Sequence, residues 1–235
     1  MKLENVTKPR RTDTKRGYDD ACGTAHGLEL IGERWTLLVL RELLLGPRRF
    51  SGLREDLPGI SANVLTQRLG ELEGRGLVRR RRLPPPASVQ VYEATEWGLE
   101  AAPVIRELGR WAARSPNHDP TLPLSGVSIM LSFTAMLNAE RARDFAGRVA
   151  FRVGETVYIA EVQDAAIDVR GGSPDEAPVL VSGDAEQLAA VAYGGAPSDL
   201  LRIEGDRAHA ERFLSLFCLP PKADVPVVEA GAQQS

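Results

Sequence analysis

The apolar positions of this chain follow two grammars, a helical one up to about residue 114 and a mixed one after residue 126. Trp35 to Leu45 is almost continuously apolar and is stopped by Gly46-Pro47, which predicts a buried helix. In RRFSGLREDLPG, Phe50, Leu53 and Leu57 recur at helical spacing, and Pro58-Gly59 closes the segment. Ser61 is a good N-cap for the next helix, in which Leu65, Leu69 and Leu72 form one apolar stripe before Gly74 and Gly76 end it. Helix, short helix, tight turn and helix is the helix-turn-helix order. LVRRRRL and SVQVYEAT then read as two strands, joined by PPPAS, which cannot extend a paired strand. A hairpin there makes the unit a winged helix-turn-helix. One more helix, TEWGLEAAPVIRELGRWAARS, carries Trp97, Val104, Leu108 and Trp111, more apolar surface than a small domain needs on one helix.

The second grammar mixes periods. GVSIMLSFTAMLN reads as a strand or an apolar segment, and AERARDFA as a short helix. RVAFRVGETVYIAEV reads as a hairpin: Val149, Phe151 and Val153 alternate, Gly154-Glu155 turns, and Val157 and Ile159 alternate. AAIDVRGG and APVLVSG are further strands. DAEQLAAVAYGG is a helix with Asp184 as N-cap and Gln187 completing a capping box, and DRAHAERFLSLF is another. The expected class is α+β, a mostly antiparallel sheet packed by helices on one side. The predicted organisation is a flexible basic tail over residues 1–17, a winged helix-turn-helix over 18–114, a linker over 115–126 (RSPNHDPTLPLSG, proline-rich and without period), an α+β domain over 127–219 and a flexible tail over 220–235.

Charge sharpens the division. Residues 1–114 hold 20 Lys and Arg against 15 Asp and Glu, whereas residues 115–235 hold 9 against 17. A basic half beside an acidic one points to a polyanionic partner for the first. With Leu65 at the buried centre, Asn63 and Gln67 lie nearly opposite, and Ala62, Thr66 and Arg68 toward the flanks. Such a face is short, polar and not acidic near its N-terminal end. A helix entering a major groove needs those properties, because its N-terminus tolerates phosphate and its amides and hydroxyls can read base edges. Along a strand, Arg79 and Arg81 point to one side and Arg80 and Arg82 to the other, so only one pair can address DNA. The candidate contacts to double-stranded DNA are Arg48, Arg49, Ser61, Ala62, Asn63, Thr66, Gln67, Arg68, Arg80 and Arg82.

The run GERWTLLVLRELLLGPRRFSGLREDLPGISANVLTQRLGELEGRGLVRR resembles the core of HxlR-type winged-helix transcriptional regulators. The likeness runs from Gly32 to Val78 and continues through Pro85-Pro86, Tyr92, Thr95 and Gly98. Ala94 and Gln90 depart from the family's usual Leu and Val in the second wing strand. The resemblance implies a homodimer on a pseudo-palindromic operator. It also singles out Cys22, since a cysteine just before the first helix serves some members as a redox sensor; here a helix start would lower the thiol pKa while Asp19 and Asp20 oppose that.

PVLVSGDAEQLAAVAYGG with LLRIEGDRAHAERFLSLF resembles domains like sterol carrier protein type two. That likeness implies a small hydrophobic ligand held between sheet and helices, with Phe133, Met136, Phe151, Val191, Phe213 and Phe217 as wall residues. The alternative to a regulator is a hydrophobic-ligand carrier whose helical domain serves protein–protein contact.

Enzymatic chemistry finds no support. His26, His118 and His209 are scattered, none pairs with a cysteine at metal-ligand spacing, and no nucleophile elbow or phosphate-binding loop is present. No catalytic residue, metal ligand or cofactor site is therefore expected. The two cysteines, Cys22 and Cys218, are far apart, no apolar run approaches a membrane span, and the N-terminus lacks the apolar core of a secretory signal, so the cytoplasm is the expected location.

Overall fold

A computed structural model describes residues 17–224. The expected tail over 1–17 therefore lies almost wholly outside the described residues. Helix α1 (Gly23–Ile31) leads into α2 (Thr36–Glu42), α3 (Phe50–Asp56) and α4 (Ala62–Gly74). Their apolar stripes converge on one core, with Val39, Leu40, Leu53, Leu65, Leu69 and Leu72 all buried. Ser61 caps α4 as its sequence promised, its Oγ accepting from the Val64 amide at 3.3 Å. Gly76 follows with φ +75°, the left-handed turn that lets the chain leave α4 and enter a strand.

The wing is a two-stranded antiparallel hairpin of β1 (Val78–Arg82) and β2 (Gln90–Ala94), with Val78 opposite Ala94 and Arg80 opposite Tyr92. Its outer end is closed by the Leu83 amide donating to the Val89 carbonyl at 2.9 Å. Behind it, the expected single helix is two, α5 (Glu96–Leu99) and α6 (Ala102–Ala112), with Pro103 in the first turn of α6. Gly98 is buried so close to the wing that a Cβ there would meet the Leu77 carbonyl oxygen at 2.1 Å.

The segment read as a strand or apolar run is a helix, α7 (Gly126–Met136). Buried on most sides against α6 and elements later in the chain, it shows no helical stripe in its sequence, and the continuous apolar run concealed its period. It is capped by Ser125, so the end of the expected linker is already helix start. After α8 (Ala139–Ala142) come strands β3 (Gly147–Val153), β4 (Thr156–Gln163), β5 (Ala166–Gly171) and β6 (Leu180–Ser182). Helix α9 (Ala185–Gly194), β7 (Arg202–Glu204) and α10 (Arg207–Leu214) complete the chain. The short strand β7 is absent from the sequence reading.

The sheet order is β5-β4-β3-β6-β7, with β3 and β6 parallel and the other neighbours antiparallel. The sheet is thus mixed rather than purely antiparallel. The connection through β4 and β5 brings the chain back beside β3, and β6 enters in the same direction as β3. Register also corrects the face of β4. Phe151 pairs with Tyr158, so Tyr158, Ala160 and Val162 face the helices. Val157 and Ile159 turn to the other face, where they meet Ala150 and Leu180.

The two halves touch extensively. Helices α6 and α7 pack together, and Arg110 donates to the Ala135 carbonyl at 2.7 Å. Ser125 Oγ donates to the buried Glu42 carboxylate at 2.8 Å, which Arg41 also holds at 2.6 Å. Beyond the last helix, the expected tail from residue 220 is anchored in its described part. The Ala223 amide donates to the Arg114 carbonyl at 2.7 Å, and Lys222 Nζ reaches the Ala113, Ser115 and His118 carbonyls. Residues 225–235 of that tail lie outside the described residues. Among the described residues no helix is long and apolar enough to cross a membrane.

Candidate nucleic-acid interface

The surface of interest starts at α4. Leu65, Leu69 and Leu72 pin one side of this helix to the core, which forces Ser61, Asn63, Thr66 and Gln67 outward, and all four are exposed. Ala62 is half-buried at the first turn. That turn contains no acidic residue. Its unpaired amides and the helix dipole therefore present positive potential beside a neutral, hydrogen-bonding face. Gln67 Nε2 donates to Glu71 Oε1 at 3.0 Å, leaving its carbonyl oxygen available, and Thr66 Oγ1 donates to the Ala62 carbonyl at 2.9 Å.

Two of the expected arginine contacts are committed elsewhere. Arg68 is only 12% exposed; it is hydrogen-bonded to Glu71 at 2.6 Å and lies 3.8 Å from Glu33. It braces α4 against the loop before α2 rather than facing solvent. Arg48 pairs with Asp56 and donates to Thr156 Oγ1 of β4 at 3.3 Å, while its backbone bridges to Tyr92 of the wing. It joins α3, the wing and the sheet at one point. Arg49, the neighbouring N-cap of α3, is exposed.

The four wing arginines divide as strand alternation requires. Arg79 and Arg81 share the Glu93 carboxylate, through Nε contacts of 2.7 and 2.8 Å. Arg80, on the opposite face, grips Glu73 at the end of α4 with three contacts of 2.6 to 3.0 Å. The guanidinium holds the Glu73 carboxyl below the usual carboxylate range, and Glu73 in turn raises Arg80. Arg82 is exposed and has no ion pair among the described residues. Glu93 is the partner that the sequence reading missed. Hairpin register could have found Glu93, which sits directly opposite Arg79.

Cys22 is exposed and lies at the N-cap position of α1. The Thr24 and Ala25 amides at the helix start draw its thiol below the ordinary value. Cys218 is half-buried on the other half of the molecule, within 3.5 Å of the Asn138 amide.

The expected apolar tunnel is filled. Phe133 stacks on Phe217 with centroids 4.4 Å apart, and Phe151 and Phe213 lie 5.5 to 5.7 Å from their ring neighbours. These four rings are core, and Val191 is packed against the same cluster. Of the six expected wall residues Met136 lines a cleft of about 750 Å3 between α6, residues 118–124, α7 and α9. Within LLRIEGDRAH the Gly205-Asp206 pair has a local role: Gly205 turns at φ +102° and Asp206 caps α10 by accepting from the His209 amide at 3.1 Å.

Residues 30–120 match the family described as HxlR-like helix-turn-helix. The HTH-type transcriptional regulator YvaP of Bacillus subtilis is 36% identical over 85 residues, covering 36% of this chain and 79% of that protein. The HTH-type transcriptional regulator YodB of the same organism is 39% identical over 83 residues, covering 35% of this chain and 74% of YodB. The reduced form of YodB superimposes with a TM-score of 0.38 at 34% identity, over 42% of this chain and 98% of that structure.

Proposed function

Because the chain belongs to the HxlR-like helix-turn-helix family of DNA-binding transcriptional regulators, we propose that it acts as a homodimer on a pseudo-palindromic operator. The observation that carries this reading is the exposed polar face of α4, Asn63, Thr66 and Gln67, beside a wing whose Arg82 is uncommitted. Asn63 and Gln67 read base edges, since a side-chain amide can donate and accept together in the major groove. Arg49 and Arg82 contact phosphate, and Arg80 joins them when it leaves Glu73.

Helix α6 supplies the dimer contact. It buries no residue fully within its own chain, yet Val104, Leu108 and Trp111 lie on one stripe, 54%, 43% and 72% exposed. Apolar surface so concentrated marks an interaction site, and a two-fold arrangement is the commonest way for a chain to cover it with itself. Two copies of α4 about 34 Å apart then meet successive major grooves on one side of the duplex. A small apolar effector belongs to the same reading, since an apolar cleft of about 750 Å3 opens where the two halves meet.

Fluorescence anisotropy on duplexes from the chain's own upstream region tests this. Affinity should fall steeply between 50 and 200 mM salt, as counterions released by phosphate contacts dictate (both values order-of-magnitude working points). Arg82→Ala should weaken binding on every sequence and lower the salt slope by about 1. Absence of sequence-selective binding at moderate salt would instead favour a ligand carrier.

A further inference from the structure

The cleft of about 750 Å3 lies where the two halves meet, and its chemistry is specific enough to name a class of occupant. Ile105 and Gly109 of α6 form one wall, Leu131 and Met136 of α7 another, and Ala190 and Tyr193 of α9 a third. Its volume falls within the ~300–1,000 Å3 typical of small-molecule sites, and such sites favour junctions between domains.

The polar groups determine what fits. Ser132 Oγ lies 2.8 Å from the Ile129 carbonyl and 2.7 Å from the Tyr193 hydroxyl. Ser132 has a single proton; when it goes to the Ile129 carbonyl, which can only accept, Tyr193 donates to Ser132. The Tyr193 oxygen is then left as an acceptor. Burial holds this phenol well above its usual range, so it remains a neutral hydroxyl. The four charged side chains that line the cleft are already engaged. Arg41 is held by Glu42 and Arg106 by Glu107; Glu186 accepts from the Leu124 amide, and Asp119 from Thr121. Both arginines are thus neutralised by carboxylates, so the lining offers no free cation to an anionic ligand, and its two carboxylates spend oxygens on Leu124 and Thr121.

We propose that this cleft binds one uncharged, largely apolar small molecule that donates a hydroxyl to Tyr193. Such a ligand touches α6 on the side away from the Val104–Leu108–Trp111 stripe, which links it to the dimer contact; that consequence rests on the regulator reading, whereas binding itself does not.

The test uses the full chain without DNA and two fluorescent probes, 1-pyrenemethanol and its methyl ether. The alcohol should bind saturably, one per chain, and about tenfold more tightly than the ether, the value of one hydrogen bond at the upper end of its range. Tyr193→Phe should reduce the alcohol to the affinity of the ether. Gly109→Leu is the second variant: a Cβ at this position meets no atom within 4 Å, so the helix accepts the side chain and the cleft loses its space. It should weaken both probes at least tenfold (an order-of-magnitude expectation) with a melting transition no lower than that of the native chain. Non-saturable binding, equal affinity for the two probes in the native chain, or a folded Gly109→Leu chain that binds as before would each overturn the proposal. Because no DNA is present, these failures are distinct from a failure of the regulator reading, which the salt titration reports.

Discussion

Four consecutive arginines in the wing look like a free basic patch, but three of them hold carboxylates of their own chain. Arg80 is the informative one, because it ties the wing to the end of α4 through Glu73. Glu73→Gln should release that guanidinium. Affinity for a random-sequence duplex should then rise and its salt slope increase by about 1, measured by anisotropy; weaker binding would mean that the pair pre-orders the wing for DNA. The pair also has a defined pH window. Glu73 is depressed in the folded chain, so its contribution is complete above the ordinary carboxylate pKa of about 4.3 and fades as pH falls through the lower folded value. Between pH 5 and 8 (rounded working limits) the pair should be constant, and a carboxyl-carbon NMR titration of Glu73 should show its midpoint below that of an exposed glutamate. Alternation along β1 was legible in the sequence, and so was the outward face of α4, because both follow from fixed periods. The commitments of Arg48 to Asp56 and Thr156, and of Arg68 to Glu71 and Glu33, were not, since each depends on segments brought together only by folding.

At the scale of elements, the helices with clear stripes and caps were readable, and those without were not. α4 and α9 announce themselves through Ser61 and through the Asp184–Gln187 box. α7 has neither a stripe nor an acidic first turn, because it is surrounded, and a surrounded helix has no polar face to betray its period. Its Phe133 is the clearest case of a residue whose role changed. It reads as a wall residue of a tunnel, but it is fully buried against Phe151, Tyr193 and Phe217. Phe133→Ala should therefore cost about 3–5 kcal/mol in a denaturant melt, the usual range for a core phenylalanine. A loss below about 1 kcal/mol would show that the interior can collapse or that a cavity already exists there.

At the scale of the whole molecule, the halves are joined by buried groups rather than by a loose tether. Glu42 of α2 meets Ser125 at the start of α7, and α6 lies between the cleft and an uncovered apolar stripe. Charge and proline content place a division near residue 114 in the sequence reading, but they could not show that residues 118–124 line a cleft. In the proposed dimer, helix α6 is the element through which both halves meet a second copy. Trp111→Glu puts a charge in the middle of that stripe. Light scattering should show the native chain as a dimer and the variant as a folded monomer; a native monomer that still binds a single half-site tightly would contradict the dimer.

In the proposed complex the exposed face of α4 reads DNA sequence. Selection of bound duplexes from a random pool tests it most directly, comparing the native chain with an Asn63→Ala, Gln67→Ala double variant. The native chain should enrich a two-fold symmetric motif with half-sites about one helical turn apart, and the variant should lose the preference at the inner positions of each half-site while keeping its salt-dependent affinity. Enrichment of the same motif by both proteins, or of none by either, would contradict the account.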